Sequence, residues 1–215
     1  MTGANRERGL RLFVACELPP AVRDALGRLQ DELKALGAGR LRWVRPEGIH
    51  LTLKFLGEVP AAEREAVEAA LAGAVVSPFA LDVRLGSLLG GFGGRQRLRV
   101  IWVGLEGDVE GLAELAALIE EALGPLGFPR ERRPFAPHLT LARVPDDVGP
   151  QERSRLADLL EAFPSPSLPS MTLTAVSLMQ SFLQPTGARY QCLAAYPAQP
   201  TTTLTQHANQ PNLGT

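Results

Sequence analysis

Cysteine occurs only twice in this 215-residue chain, at Cys16 and Cys192, and nothing in that pair suggests a disulfide framework. No apolar run approaches the roughly 20 residues that a helix needs to cross a bilayer. The first apolar stretch, Leu12 to Cys16, soon meets Pro19 and Pro20, which is too short for a secretory signal. A cytoplasmic location is the resulting expectation. Net charge is −1, which argues against a general polyanion binder. Lysine is nearly missing, with Lys34 and Lys54 alone, and histidine occurs three times. Imidazoles this scarce make their placement informative.

Two of the three histidines stand in copies of one tetrapeptide, His-Leu-Thr-Leu, at His50 to Leu53 and at His138 to Leu141. Both copies read as strands. Alternation puts His50 and Thr52 on one face and Leu51 and Leu53 on the other, and it divides His138, Thr140, Leu139 and Leu141 in the same way. Each copy is thus a core-anchored strand that presents an imidazole and a hydroxyl. Imidazole moves protons near neutral pH, with an ordinary pKa of about 6.5.

The surroundings repeat with the motif. The copies lie 88 residues apart, and the strand-like Leu10 to Leu18 recurs as Arg97 to Leu105 at an offset of 87. Val22, Leu26, Leu29, Leu33 and Leu36 form a helical stripe, as do Leu112, Leu115, Ile119 and Leu123, with Asp108 placed to cap the second. Helices are also expected over Glu63 to Val75 and Glu152 to Phe163. Strands around Phe79 to Leu85, then Met171 to Phe182 and Ala188 to Tyr196, are expected to close the respective halves. The reading is two similar α+β halves within one unit, residues 10–198. Residues 199–215 hold little to bury and are expected to be a flexible tail, with His207 in it playing no part.

Alternative chemistries fit less well. A lone strand histidine is more often structural, but two in matching contexts favour function. Zinc would want further ligands, and neither strand offers Cys or an acidic residue at i±2; no metal is expected. No Gly-x-Ser-x-Gly or Cys-Gly pattern stands near either histidine. Gly90 to Arg95 lacks the Gly-Lys-Ser/Thr ending of a phosphate loop and reads as a mobile hairpin loop, with Arg95 and Arg97 at its end. Arg40, Arg42 and Arg45 precede the first motif, and Arg130, Arg132, Arg133 and Arg143 bracket the second, which suits a phosphate-bearing ligand. Lys54 shares the His50 face by alternation and reads as either a phosphate contact or a surface lysine. Phe13 falls on the face opposite the apolar row Leu10, Leu12, Val14 and Cys16, an aromatic outside the obvious core row.

HLTLKFLGEV, RPFAPHLTLARV, the opening FVACELP and the closing SFLQPTGARYQCL resemble the two-histidine (2H) phosphoesterases. Within them the match is to the RNA 2′,3′-cyclic phosphodiesterases, also named 2′-5′ RNA ligases, from about Leu12 to Tyr196. The resemblance implies a bilobal α+β fold of two pseudo-symmetric halves, each with an antiparallel sheet and two helices, and both motifs lining the cleft between them. It implies metal-independent hydrolysis of a terminal RNA 2′,3′-cyclic phosphate to a 2′-phosphate, with 2′-5′ ligation as the reverse. It gives His50 as proton donor, His138 as proton acceptor, Thr52 and Thr140 as phosphate-oxygen donors, and Phe13 and Arg143 as the two sides of a base site. Strict alternation points Arg143 away from His138, so the strand must end or bulge before it. No cofactor and no obligate protein partner are expected, and a monomer is. The alternative is a non-catalytic binder of nucleotides or RNA ends on the same scaffold, which would have no need of two proton carriers.

Overall fold

The structure is a computed structural model that describes residues 9–38, 40–75, 80–92, 94–164, 169–184 and 187–197. In chain order these form β1 (Leu10–Glu17), α1 (Pro20–Leu33), β2 (Arg42–Trp43), β3 (His50–Val59), α2 (Arg64–Ala74), β4 (Leu81–Phe92), β5 (Val100–Gly107), α3 (Val109–Leu123), β6 (His138–Arg143), α4 (Pro150–Ala162), β7 (Ser170–Leu173), β8 (Ala175–Gln184) and β9 (Gly187–Pro197). Local chemistry sets several boundaries. Pro20 and Pro150 open α1 and α4, where a missing N–H costs nothing. Asp108 caps α3 by accepting from the Gly111 amide at 3.1 Å. Just before it, Gly107 turns at φ 95°, and a Cβ there would lie 2.7 Å from the Asp82 carbonyl. The expected tail and His207 lie outside the described residues, as does Phe79.

Every strand pairing is antiparallel, and the order is β7-β4-β5-β6-β3-β1-β8-β9, with β2 added to β6. Two lobes are visible in that order. One is β3-β1-β8-β9 and the other β7-β4-β5-β6, and they meet where the two His-Leu-Thr-Leu strands lie edge to edge. Leu51 opposite Leu139 is the pair that joins them. These residues are 88 apart, so the pseudo-twofold relation between the copies passes through this pair.

The lobes are not the sequence halves. The strand expected to close the first half, β4, instead forms a hairpin with β5 and completes the second lobe. The strand expected over Met171 to Phe182 is two strands. β7 pairs with β4, the chain crosses over at Thr174, and β8 pairs with β1 to complete the first lobe. Short hairpin closure explains β4, since neighbours in sequence usually pair. The crossing at Thr174 has no such local signal.

Helices and apolar strand faces enclose the main core, which contains Leu51, Leu53, Leu139 and Leu141, all 0–5% exposed. Each such burial is worth about 1.5–3 kcal/mol. A one-residue slip would exchange leucines for His and Thr, so the motif fixes its own register. In both copies the register shifts at the fourth residue. Val14 pairs with Lys54 but Ala15 with Thr52, and Ile101 pairs with Ala142 but Trp102 with Thr140, which leaves Leu53 and Leu141 as the extra residues. The shift turns the following residue inward, and both Lys54 and Ala142 are buried. Phe55 and Arg143 therefore return to the histidine face, through the bulge that a base-site role for Arg143 calls for.

Lys54 is accordingly neither a surface residue nor a phosphate contact. Its ammonium donates to Glu120 Oε1 on α3 at 2.9 Å and to the Pro129 carbonyl at 2.8 Å. Glu120 also accepts from the Glu131 amide. The counterpart in the other half is Gln30 of α1, whose amide donates to the Val44 and Leu141 carbonyls at 2.8 and 3.0 Å. Each motif strand thus rests on one buried polar anchor.

Candidate active site

Extending the Leu51–Leu139 register by one residue sets His50 across from Thr140 and Thr52 across from His138. The histidines are then diagonal neighbours at roughly 7–8 Å along the sheet face. All four side chains are half-buried. His50 Nδ1 lies 2.8 Å from the Gly48 carbonyl, and His138 Nδ1 lies 2.8 Å from the Ala136 carbonyl. A carbonyl only accepts, so Nδ1 carries the hydrogen in both rings. In that tautomer Nε2, at the far edge of each ring, is the basic nitrogen. The Thr52 and Thr140 hydroxyls make no hydrogen bond to any described residue and are free to donate. Two proton carriers and two hydroxyls therefore converge on one small surface.

The symmetry is broken around the rings. His50 packs against Phe13 at 4.7 Å and edge-on against Tyr190 of β9 at 4.9 Å, and Phe13 meets Tyr190 at 5.4 Å. Glu17 stands opposite His50 in β1, whereas Gly104 stands opposite His138 in β5. Ser177 Oγ holds the Glu17 carboxylate at 2.8 Å. Burial pushes the His50 pKa below the ordinary imidazole value, while the Gly48 carbonyl and the Glu17 charge pull it back up. Beside His138 the neighbouring ring is Trp102, at 6.1 Å.

Phe13 lies outside the main core, in a small cluster with Ala15, Met179 and Tyr190, but the open ring face expected for stacking is covered: Phe13 is 3% exposed. Arg143 is exposed at the end of β6, and its charge reaches the Tyr190 phenol together with that of Arg11. Burial raises the Tyr190 pKa, and the two arginines oppose that. The Gly90 to Arg95 reading also changes. Gly90, Gly91 and Phe92 are strand residues paired with Trp102, Ile101 and Val100. Arg95 is tied to Asp158 and Glu161 of α4. Gly93 lies outside the described residues.

Three contributors went unread in the sequence. Trp102 was within reach, because Val100 to Leu105 alternates cleanly and puts it on the histidine face. Glu17 was as well, being on the Phe13 face of β1. Tyr190 carries no local signal, since it reaches His50 only through the β8–β9 hairpin. Among the described residues no three His, Cys, Asp or Glu side chains cluster as a cation site would need.

A family model of LigT-like phosphoesterases matches the chain twice, over residues 17–102 and 103–190. The chain is 34% identical over 183 residues to a protein of Methanothermobacter thermautotrophicus named RNA 2′,3′-cyclic phosphodiesterase, covering 84% of this chain and 95% of the relative. A protein of the same name from Escherichia coli is 37% identical over 134 residues, 62% of this chain and 71% of that one. The crystal structure of E. coli LigT complexed with ATP superposes with a TM-score of 0.66 at 27% identity, over 88% of this chain and 98% of the other. The two matched segments mirror the two motif-bearing repeats, and the alignment to the Methanothermobacter protein covers 84% of the chain. The chain belongs to the LigT-like, two-histidine phosphoesterases.

Proposed function

We propose that this protein hydrolyses the terminal 2′,3′-cyclic phosphate of RNA to a 2′-phosphate, without a metal. The observation that carries the reading is the matched pair of Nδ1–carbonyl bonds at 2.8 Å, which sets the same tautomer in both rings on a face shared with two threonine hydroxyls. Relatives named RNA 2′,3′-cyclic phosphodiesterase, and a nucleotide complex of E. coli LigT, support the substrate class.

Water attacks phosphorus in line with the departing 3′ oxygen. His138 Nε2 takes a proton from the water as the P–O bond forms, and His50 Nε2 gives one to the 3′ oxygen as its bond to phosphorus breaks. The product keeps phosphate on the 2′ oxygen, and the enzyme regains its starting state by exchanging the two protons with solvent. Thr52 and Thr140 donate to the non-bridging oxygens, where negative charge develops. Glu17 supports the donor role of His50, because a carboxylate opposite one imidazole and a glycine opposite the other favours the protonated form at His50. Burial works against this in the empty site, and the anionic phosphodiester offsets it on binding. The terminal base lies against the Phe13–Tyr190 cluster, with Tyr190 supplying most of the accessible ring, and Arg143 faces it. Ligation through a 2′-5′ linkage is the same displacement with a 5′ hydroxyl in place of water: His138 takes its proton, its oxygen bonds phosphorus, and the 3′ oxygen leaves with a proton from His50.

No helix among the described residues is long and apolar enough to cross a membrane. The reading is of a cytoplasmic monomer acting on RNA 3′ ends. To test it, RNA ending in a 2′,3′-cyclic phosphate is incubated with the protein and then with a phosphatase that removes only monoesters. Wild type makes the terminal phosphate phosphatase-sensitive. Failure to do so, or equal activity in H50A or H138A, refutes the reading.

A further inference from the structure

The arginines ahead of the first motif are not equivalent. Arg40 is paired with Asp147 at 3.8 Å. Arg42, in β2, instead stands directly opposite Arg143 of β6, whose neighbour on the other side is Val100 of β5. Partners directly opposite share a sheet face, with Cβ atoms about 5 Å apart. Arg42 therefore lies on the histidine face with Arg143, while Trp43 and its partner Ala142 pack with the main core. Both arginines are exposed, and neither makes an ion pair or a side-chain hydrogen bond among the described residues. Like charges directly opposite each other destabilise a ladder. Carboxylates are not scarce, with 23 acidic residues against 22 basic ones. In the second half, Arg130 stands eight residues before its histidine, as Arg42 does, and its charge lies beside the Glu120 carboxylate. Arg42 has an arginine where Arg130 has a counter-charge.

Both backbones are fixed. The Val44 amide donates to the Leu141 carbonyl at 2.9 Å, and the buried Gln30 side chain bonds the Val44 and Leu141 carbonyls together. Beyond Arg143, the buried Arg153 of α4 donates to the Pro145 carbonyl at 2.7 Å, to the Val148 carbonyl at 2.8 Å and to the Leu98 carbonyl. Two guanidinium groups on adjacent anchored strands can close on one phosphate between them, and the planar fork suits its oxygens. The pair lies one step beyond Thr140 on the same face, roughly 7 Å along the strand. RNA that ends in a cyclic phosphate carries its next phosphate on the 5′ oxygen of that same nucleotide.

We infer that Arg42, with Arg143, holds a second phosphate, the one on the 5′ oxygen of the nucleotide whose cyclic phosphate is opened. The inference rests on the proposed function for the placement of that nucleotide. Arg143 then touches both the base and the 5′ phosphate, and Arg42 is specific to the phosphate. The protein thereby favours nucleotides that carry a 5′ phosphate over those that end in a 5′ hydroxyl. The phosphate comes either as the diester of an RNA strand or as a terminal monoester.

The test is calorimetric binding of three product-like ligands to wild type, Arg42→Gln and Arg42→Lys. The ligands are adenosine 2′-phosphate, adenosine 2′,5′-bisphosphate and a diribonucleotide ending in a 2′-phosphate. Wild type should bind one or both of the last two about tenfold more tightly than the first, the usual worth of a charge-assisted contact. A gain for both ligands identifies an RNA strand as a source of the phosphate, and a gain for the bisphosphate alone identifies a terminal monoester. In Arg42→Gln the gain should fall below about twofold, with adenosine 2′-phosphate bound as by wild type. Arg42→Lys should keep part of it, because the charge remains without the fork. No turnover is needed, so failure of the protein to hydrolyse a cyclic phosphate would sink the proposed activity and leave this comparison readable. A gain equal in wild type and Arg42→Gln would overturn the inference. So would no gain in wild type, or an equal loss on all three ligands.

Discussion

Removing the Glu120 carboxylate strands a charge in the core beneath the first motif. The Lys54 side chain is 1% exposed and Glu120 14%, with 2.9 Å between Nζ and Oε1. Glu120→Gln keeps the shape but leaves the ammonium with the Pro129 carbonyl and a neutral amide. Breaking a buried pair from one side costs about 3–5 kcal/mol, and the partial solvent access of Glu120 places this one near the lower end, at about 3 kcal/mol. For a chain of this size that is a fall in Tm of roughly 6–12 °C. Lys54→Met with Glu120→Leu strands no charge and should lie within about 1 kcal/mol of wild type. Urea unfolding followed by circular dichroism, at constant m, reads both. Burial alone would raise the Glu120 pKa, but the Lys54 ammonium, the Glu131 amide and the Arg130 charge outweigh it and hold it below the ordinary carboxylate value. A depressed carboxylate stabilises the fold above its unfolded pKa and stops doing so as pH falls through its folded pKa. The gap between wild type and Glu120→Gln should therefore close in acid. A single variant within about 0.5 kcal/mol of wild type at pH 7, or a double variant as unstable as the single, would refute the reasoning.

His50→Ala and His138→Ala should each lower turnover by about 10²–10⁴, and the double variant should fall little further, because both act on one transition state; wild-type rates in either would remove the acid–base assignment. Thr52→Val and Thr140→Val should lower kcat more than they raise KM, measured on a cyclic mononucleotide. The pH profile of kcat/KM should be a bell with limbs in the imidazole range, insensitive to EDTA. The titratable groups that face His50 are Glu17 from β1 and Tyr190 from β9, with Cys192 acting on Glu17 and with Arg143 and Arg11 acting on Tyr190. Of these only Glu17 raises His50, so Glu17→Gln should move the alkaline limb to lower pH, and Glu17→Asp should restore it in part. Movement of the acid limb instead would make His50 the base, and an alkaline limb that rises would contradict the influence of Glu17.

The histidine strands were legible because Leu51, Leu53, Leu139 and Leu141 mark the core side and thereby give the opposite face to His and Thr. Helix α3 was legible with its cap, since Asp108 and the Leu112–Leu115–Ile119–Leu123 stripe are local signals. Lys54 was misread because a single inserted residue at Leu53 inverts every later orientation, and alternation cannot register that in advance. At Arg143 the same shift was demanded by the chemistry, and the sheet supplies it. Long-range pairing hid the rest. The exchange of β4 and β8 between lobes, the cover of Phe13 by Tyr190, and the capture of Arg95 by α4 each join residues that share no sequence neighbourhood.

The most direct test is the position of the phosphate in the product. An oligoribonucleotide ending in a 2′,3′-cyclic phosphate is digested in the presence of EDTA, and its terminus is compared with authentic 2′- and 3′-phosphate standards. In the proposed arrangement the base is held by Tyr190 and Arg143, which would set the 3′ oxygen beside His50 and water beside His138. A 2′-phosphate is therefore predicted, with internal 3′-5′ linkages intact. A predominantly 3′-phosphate product, internal cleavage, or activity abolished by the chelator would contradict it.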